Sequence, residues 1–208
     1  MLYDFLKQQY GENEPIIISE LKIEGVSNNT LRQKIKKLTD DGFLKRYDTG
    51  IYFIPKKSIF KSGSQLPIDK VISSKYLQDT ENPCGYLTGI MFANQIGVTS
   101  QVSMVYEVVT NKASKDYRET TLAKTKVVLR KPRVAVTKEN YRILQFLDLL
   151  KEIDQIAEVS GDELAKRLIA YLKAYTLTFS DLEKYLSFYP DKIYKNMYET
   201  GLLHGISA

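Results

Sequence analysis

The first quarter of the chain contains one apolar stripe at helical spacing, followed by two short apolar runs. Leu31, Ile35 and Leu38 recur every three or four residues, so they share one face of a helix that turns by about 100° per residue. Gly42 ends this helix, and the runs on either side of residues 48–50 predict a β-hairpin. The pattern therefore predicts a helix followed directly by two strands.

The residues ahead of this helix extend the pattern towards a known arrangement. The run IIISELKIEG supplies a strand-like lead-in and a brief helix, and a tight turn at Gly25 separates it from the longer helix. The SNNT turn offers capping oxygens from Ser27 or Asn28. Helix, turn, helix and hairpin in this order predict a winged helix-turn-helix over residues 1–58.

The face of the longer helix opposite the apolar stripe is polar and basic. It carries Asn29, Gln33, Lys36 and Lys37, with Arg32 on its flank. In a major groove, Asn and Gln can pair with adenine and Arg with guanine, while lysines suit phosphates. The helix is therefore a candidate DNA-reading element.

Charge is concentrated in the same region. From Lys22 to Lys57 there are nine basic and four acidic residues, a net charge of +5. Lys45 and Arg46 on the first hairpin strand, with Lys56 and Lys57 after the second, are placed to contact backbone phosphates. Two other interpretations remain open from the residues alone: a solvated basic face, and a winged-helix protein-interaction module without sequence-specific DNA binding.

The middle of the chain mixes helical and strand patterns. Residues 55–67 (PKKSIFKSGSQLP) have the composition of a linker, so we place a domain boundary at 58 and a second, α+β domain over 59–208. PIDKVISSKYLQ and NPCGYLTGIMFANQIG predict helices, the second opened by Pro83 and closed by Gly97. QVSMVYEVVT and TLAKTKVVLR predict two strands joined by a long polar hairpin loop, hence a small antiparallel sheet.

Residues 137–208 predict helices. Thr137 is a candidate cap for the first helix, and Ser160 with Glu163 and Ser180 with Glu183 form capping-box patterns for the next two. Tyrosines recur four residues apart, at 171 and 175, 185 and 189, and 194 and 198, so each pair shares a helix face. These faces are interpreted as packing within the domain or, alternatively, as a partner-binding surface.

A second basic region spans Asn111 to Arg142, with ten basic and three acidic residues and a net charge of +7. On the predicted strand, Lys124, Lys126 and Arg130 have one parity and the neighbouring apolar residues the other. The basic face is either a solvated outer surface or a surface for an acidic partner or nucleic-acid backbone.

The composition changes the picture mainly by exclusion. With 208 residues, 43% hydrophobic and 26% charged, the chain is expected to fold as a cytosolic globular protein, without a secretory signal or membrane span. The lone Cys84 is expected to be a small core residue, and His204 is the only histidine. Ser62 to Ser64 lack the Asp-x-Asp of nucleotidyltransferases, and no phosphate-binding loop is present. We therefore expect a non-enzyme without cofactor or metal.

Three segments together are similar to a known family. The winged-helix stretch TLRQKIKKLTDDGFLKRYDTGIYFIPK, the stretch IGVTSQVSMVYEVVT from Ile96 and the basic strand after it resemble the AbiEi-like antitoxins of type IV toxin-antitoxin systems. Within them, the chain looks most like a group of bacterial winged-helix transcriptional regulators. The resemblance covers most of residues 1–150, and the Tyr-rich helical tail and Ser103, where proline is expected, depart from it.

The resemblance implies a function. Its members repress their own promoter by binding inverted repeats through the winged helix, and they counteract a partner toxin resembling a nucleotidyltransferase, directly or indirectly. The implied DNA-binding residues lie on the reading helix and the wing: Asn28, Asn29, Thr30, Arg32, Gln33, Lys36, Lys37, Lys45 and Arg46. The basic strand supplies the candidate antitoxin surface: Lys124, Lys126, Arg130 and Lys131.

Overall fold

The protein has the α+β fold class that the sequence predicts. The computed structural model describes residues 2–57, 64–80 and 82–203, which form eight α-helices, one π-helical turn and nine short strands. The centre of the predicted linker, at 58–63, and His204 lie outside the described residues. The chain divides into two units, Met1–Lys75 and Tyr76–Ala208, so the division falls later than position 58.

The first unit is built from helices around a small antiparallel sheet. Its elements are α1 (Leu2–Tyr10), β1 (Ile16–Ile17), α2 (Asn28–Asp40), β2 (Lys45–Asp48), β3 (Ile51–Phe53) and α3 (Ile68–Ile72). The strand order is β1-β3-β2, with β3 antiparallel to both neighbours. The predicted long helix and hairpin are confirmed.

Helix α2 buries the apolar stripe and is capped at its first turn. Leu31 and Ile35 are buried and Leu38 packs half-buried against the same core. At the start, the side chain of Ser27 accepts a hydrogen bond from the backbone N–H of Thr30 at 3.2 Å. The helix therefore presents the opposite face to solvent.

The brief helix predicted ahead of α2 is wrong. Residues 18–27 form turns, in which Glu20 and Leu21 donate single backbone hydrogen bonds to Ile17 and Ile18 at 3.1 and 3.2 Å. Gly25 has φ +71° and forms the predicted turn. A segment this short, interrupted by a left-handed residue, gains too few hydrogen bonds to offset helix nucleation.

The second unit contains a four-stranded mixed sheet. After a π-helical turn (Ser73–Leu77) come β4 (Gln78–Asp79), β5 (Asn82–Pro83), β6 (Gly85–Thr88), α4 (Gly89–Gln95), β7 (Val105–Thr110), β8 (Tyr117–Leu122) and β9 (Thr125–Arg130). Strands β4 and β5 pair with each other, and the larger sheet has the order β6-β7-β9-β8. The central β7–β9 pair is parallel and the two outer pairs are antiparallel, so the expectation of a wholly antiparallel sheet is corrected.

Two local predictions in this sheet are also wrong. Residues 85–88 are a strand, so Pro83 does not open a helix, although α4 does end just before Gly97, with φ +76°. A Cβ at Gly85 would lie 2.5 Å from the carbonyl oxygen of Tyr76 and 2.6 Å from that of Val109, so glycine permits this close strand packing. The predicted polar loop contains part of a third strand, β8, because its Thr-rich residues pair with the apolar β9.

Four helices complete the second unit: the sequence predicts a helical segment here and signals the starts of three helices. They are α5 (Tyr141–Ile156), α6 (Gly161–Ala174), α7 (Phe179–Leu186) and α8 (Lys192–Glu199). Helix α5 is central: Leu144, Phe146, Leu147 and Leu150 are almost fully buried among the other helices. It begins at Tyr141, after a turn at residues 138–140, and Asn140 stands at the N-cap position, so Thr137 is not its cap.

The predicted tyrosine pairs differ in how far their side chains are buried. Tyr171 and Tyr189 are buried, and the ring of Tyr171 stacks on Phe146 with centroids 5.4 Å apart. Tyr194 and Tyr198 on α8 are 50% and 67% exposed. Packing within the unit therefore accounts for Tyr171 and Tyr189 and not for the pair on α8.

The loop between α4 and β7 is held by side-chain hydrogen bonds. The carboxylate of Glu158 accepts hydrogen bonds from the backbone N–H and the hydroxyl of Ser100 at 2.6 and 2.7 Å, and from the side-chain amide of Gln101 at 3.2 Å. The side chain of Asn94 donates to the carbonyl of Gln101 at 3.0 Å. The hydrogen bonds from Ser100, and then that from Gln101, lower the pKa of Glu158 to about 2.

The two capping residues of α7 give a first test, because sequence and structure disagree about them. Thr178 forms a full capping box with Asp181, whereas Ser180 lies inside the helix. Thr178→Ala is expected to lower the free energy of unfolding by about 1 kcal/mol, since it removes an N-cap. Ser180→Ala is the matched control and should change it by less than about 0.5 kcal/mol. Urea unfolding followed by circular dichroism measures both, and equal losses would contradict the observed cap.

The hydrogen bonds to the carboxylate of Glu158 predict that the free energy of unfolding depends on pH. Its pKa is about 2 in the folded protein against 4.5 for a free glutamate, so its contribution is present above about pH 4.5 and is lost as pH falls towards 2. Glu158→Gln should therefore lose less stability over this window than the wild type. Urea unfolding at a series of pH values measures this, with Glu183→Gln on the exposed face of α7 as the control. Parallel curves for Glu158→Gln and wild type would show that the carboxylate does not stabilise the loop.

Candidate nucleic-acid interface

All seven predicted DNA-binding residues on α2 are exposed. They are Asn28, Asn29, Thr30, Arg32, Gln33, Lys36 and Lys37. Burial of Leu31 and Ile35 on the other face fixes this rotation of the helix. Because Ser27 provides the N-cap, the side chains of Asn28 and Asn29 are not used to close the helix end. Thr30 is partly engaged, since its hydroxyl lies 2.9 Å from that of Ser27.

The basic residues of α2 keep their charge uncompensated by close partners. Within the described residues, Arg32, Lys36 and Lys37 form no ion pair. Acidic residues appear on the helix only at its last turn and cap, at Asp40 and Asp41. An exposed cation without a carboxylate partner can exchange its counterions for nucleic-acid phosphates without breaking an internal ion pair.

Arg46 on β2 is positioned by its own hairpin. Its Nε donates to the carbonyl of Asp48 at 3.3 Å, and its Nη2 donates to the hydroxyl of Thr49 at 3.1 Å. The strand register shifts between Arg46 and Asp48, which bends the strand at this point. These two hydrogen bonds hold the guanidinium of Arg46 in place and leave its other N–H donors for a further acceptor.

A groove of about 640 Å³ brings part of the predicted site together. It is lined by Asn28 and Arg32 from α2 and by Arg46 and Thr49 from the hairpin. We call this the α2–hairpin groove. The other six predicted residues do not line it: Asn29, Thr30, Gln33, Lys36, Lys37 and Lys45. Lys45 is half-buried, and the remaining five lie on the exposed surface of α2.

Sequence reasoning missed Tyr52 as a groove residue. Tyr52 lies opposite Arg46 in the hairpin and lines the groove. Its neighbours are both buried, and one of them, Ile51, also borders the groove. The alternation of these three residues along the strand is the signal that could have placed Tyr52 on the α2 side. Tyr52 adds an aromatic side chain to the polar and basic residues that line the groove.

No protein-family model matches this sequence, and no curated protein matches it significantly. The resemblance to AbiEi-like antitoxins consequently stays a prediction that depends on the motifs. Any function proposed for this protein therefore depends on the geometry of the described residues and on those motifs.

The second predicted basic surface differs from expectation. Lys126 pairs with Glu119 at 2.9 Å and Arg130 with Glu107 at 3.3 Å, so these two cations are compensated by carboxylates on neighbouring strands. Val128 shares their parity and is buried. The face is therefore mixed rather than uniformly basic. The sequence did not predict this, because it did not predict that β7 and β8, which carry the acidic partners, pair with β9.

Contacts between the side chains on this face reinforce the compensation. The guanidinium of Arg130 lies 5.3 Å from the ring centre of Tyr117, whose hydroxyl donates to Glu119. Hydrogen bonds from Tyr117 and Lys126 lower the pKa of Glu119, and the bond to Glu119 raises the pKa of Lys126. Lys124 lies in the β8–β9 turn and Lys131 follows β9. Of the four candidate residues, only these two form no ion pair with a described residue.

Lys131 borders a hollow of about 310 Å³ in the second unit. Arg133 and Lys151 also line it, and its buried side includes Asp148, which accepts a hydrogen bond from the hydroxyl of Tyr86 at 2.7 Å. Burial, with the nearby Asp148 carboxylate, raises the pKa of Tyr86. Lys151 lies 3.4 Å from Asp148 and 3.1 Å from Glu152, so positive and negative charges alternate around this hollow.

Metal-binding clusters and membrane-spanning helices are absent from the residues that the structure describes. These residues contain no group of three or more His, Cys, Asp or Glu side chains that could hold a metal ion. None of the helices formed by them is both long enough and apolar enough to span a bilayer. Cys84 is buried, with its sulfur 3.6 Å from the carbonyl of Tyr76, as expected of a core residue.

Proposed function

We propose that this protein is a DNA-binding transcriptional autorepressor and antitoxin, whose first unit binds double-stranded DNA of its own promoter. The observation that supports DNA binding is the exposed face of α2, which carries polar side chains and cations without ion-pair partners among the described residues. Arg46 adds a further cation in the α2–hairpin groove. Such a surface combines groups that suit base edges with groups that suit phosphates.

We further propose that the first unit works as a winged helix. Supporting this are the order of α1, β1, α2 and hairpin, and the sheet order β1-β3-β2. Helix α2 would be the reading helix and β2–β3 the wing. The first helix of the helix-turn-helix would be reduced to the turns at 18–27.

The roles of individual residues follow from their positions. Asn29, Arg32 and Gln33 would contact base edges, because they lie in the first two turns of α2 on its exposed face. Lys36 and Lys37 would bind phosphates near the other end. Arg46, held beside Arg32 in the groove, would contact the backbone that flanks the reading helix.

The antitoxin part of the proposal depends on the family resemblance alone. Its partner would be a nucleotidyltransferase-like toxin encoded beside this gene. Lys124 and Lys131 are the preferred contacts on the candidate antitoxin surface, because Lys126 and Arg130 are already paired with carboxylates.

DNA binding is tested with the full chain and a duplex containing the upstream promoter. The logarithm of affinity should fall with the logarithm of salt concentration, by about 0.9 per neutralised phosphate. Arg32→Ala and Gln33→Ala should each reduce discrimination against mutated sites by about 1–3 kcal/mol, whereas Lys36→Ala should weaken all duplexes about equally. Fluorescence anisotropy against specific and scrambled duplexes measures both effects.

Lys126→Ala is the matched control, because it removes a lysine that is paired with Glu119 outside the first unit. It should leave DNA affinity within about twofold. Arg32 is exposed, so Arg32→Ala should also change the free energy of unfolding by less than about 0.5 kcal/mol. Unchanged sequence preference in the Arg32/Gln33 double variant would contradict base contacts by α2.

Antitoxin activity is tested by growth. Expression of the neighbouring gene product should inhibit growth, and co-expression of this chain should restore it. A Lys124→Glu/Lys131→Glu variant should lose much of the rescue if direct contact is needed, while the Arg32/Gln33 variant should keep it when both genes are transcribed from foreign promoters. A neighbour without toxicity, or toxicity that this chain does not relieve, would contradict the antitoxin assignment.

A further inference from the structure

The hollow of about 310 Å³ in the second unit has the size of a small-molecule site. Residues of β6, β7 and β9 line it together with residues of α5. Pockets for small ligands in proteins measure roughly 300–1,000 Å³, so this hollow lies at the lower end of that range. It belongs wholly to the second unit and shares no residue with the DNA-binding face of α2.

One side of the hollow carries two cations that lack carboxylate partners. Lys131 and Arg133 line it, and neither forms an ion pair with a described residue. Arg133 is held in place, because its Nη1 donates to the carbonyl of Phe188 at 3.2 Å and its guanidinium lies 5.2 Å from the ring centre of Tyr189. Its remaining N–H donors suit a carboxylate, which accepts two parallel hydrogen bonds from a guanidinium.

The α5 side of the hollow carries more negative than positive charge. Asp148 and Glu152 share a single cation, Lys151, at 3.4 and 3.1 Å. Asp148 is 7% exposed and accepts a hydrogen bond from the hydroxyl of Tyr86, and a carboxylate has room for about four such bonds. Two carboxylates around one ammonium group therefore leave one negative charge and further acceptor positions for a ligand.

A buried hydroxyl also borders the hollow without a partner in the described part of the chain. Thr88 is 5% exposed, and its side chain forms no hydrogen bond with another described residue, the first turn of α4 included. A buried hydroxyl that the protein leaves unpaired costs free energy unless another molecule supplies the bond. Because Thr88 lines the hollow, a molecule in the hollow is placed to supply it.

We propose that the hollow binds a free α-amino acid. Its carboxylate lies at Lys131 and Arg133, and its ammonium group lies at Asp148 and Glu152. Each charge of the ligand then meets side chains of opposite sign that the ion pairs of the described residues do not neutralise. Val109 supplies apolar lining for an aliphatic side chain of the ligand.

Charge balance favours such a zwitterion over a simple anion. The four basic side chains that line the hollow are opposed by Asp116, Asp148 and Glu152 in the same lining, and by Glu107, which pairs with Arg130. A phosphate ester would therefore enter a site without net positive charge. A zwitterion adds no net charge, and its two charged groups lie close enough together for a hollow of this size.

Isothermal titration calorimetry of the full chain, without DNA or a partner protein, tests binding directly. Each of the twenty common L-amino acids is the probe in turn, and at least one with an aliphatic side chain should bind with a dissociation constant below about 1 mM. The amide and the N-acetyl derivative of that amino acid each lack one of its charges. Each should bind at least about tenfold more weakly, because one charge-assisted interaction is lost.

The outcomes of this titration separate the proposal from other ligands and from the proposed function. Heat from none of the amino acids, or equal binding of either derivative, overturns the proposal. Binding of inorganic phosphate or AMP in place of every amino acid overturns it as well, since the hollow would then be a phosphate site. Because neither DNA nor a toxin is present, the result does not depend on whether the protein is a repressor or an antitoxin.

Variants test which side chains hold the ligand. Arg133→Met and Glu152→Gln each remove one charge from the hollow and should each weaken binding about tenfold. Thr88→Val should also weaken binding without lowering the free energy of unfolding, since the hydroxyl has no partner among the described residues. Lys173→Met removes an exposed lysine of α6 outside the hollow and is the matched control with unchanged affinity. Arg133→Met and Glu152→Gln proteins that are folded by circular dichroism and bind like the wild type overturn the proposal.

Discussion

Burial of Leu31 and Ile35 determines how α2 is rotated, and the surface of the first unit depends on that rotation. Neighbouring residues on a helix differ by about 100°, so turning α2 by one position would bring Arg32 towards the apolar core and expose Leu31. Burying an unpaired guanidinium costs far more than burying leucine gains, which excludes the alternative rotation. The same packing holds the start of α2 beside the hairpin, where Arg32 and Arg46 line one groove.

The two units use a similar excess of basic residues in different ways. On α2 the cations face solvent without ion-pair partners among the described residues, whereas on the sheet of the second unit Lys126 and Arg130 are each paired with a glutamate on a neighbouring strand. Local net charge in the sequence does not distinguish these cases. The distinction matters because cations already paired within the protein gain less from a polyanion than cations that lack partners.

The anchored loop of the second unit combines order with apolar exposure. Hydrogen bonds to the carboxylate of Glu158 and from the side chain of Asn94 hold its backbone, so Val102 and Met104 are displayed in a defined position. A disordered loop would have to lose its freedom on contact, and this one has already done so.

Local pattern determined much of this protein. The rotation of α2, its stop at Gly42, the hairpin and the C-terminal helices follow from apolar spacing and turn residues, since these features depend on interactions within a few positions. The strand at residues 85–88 and the parallel pairing of β7 with β9 were decided only in the tertiary structure. Gly85 and β8 show the reason: each adopts its conformation because residues far away in the chain accept it as a neighbour. The pairing of Lys126 and Arg130 with glutamates has the same origin, because strand register, and not sequence proximity, sets which charges meet.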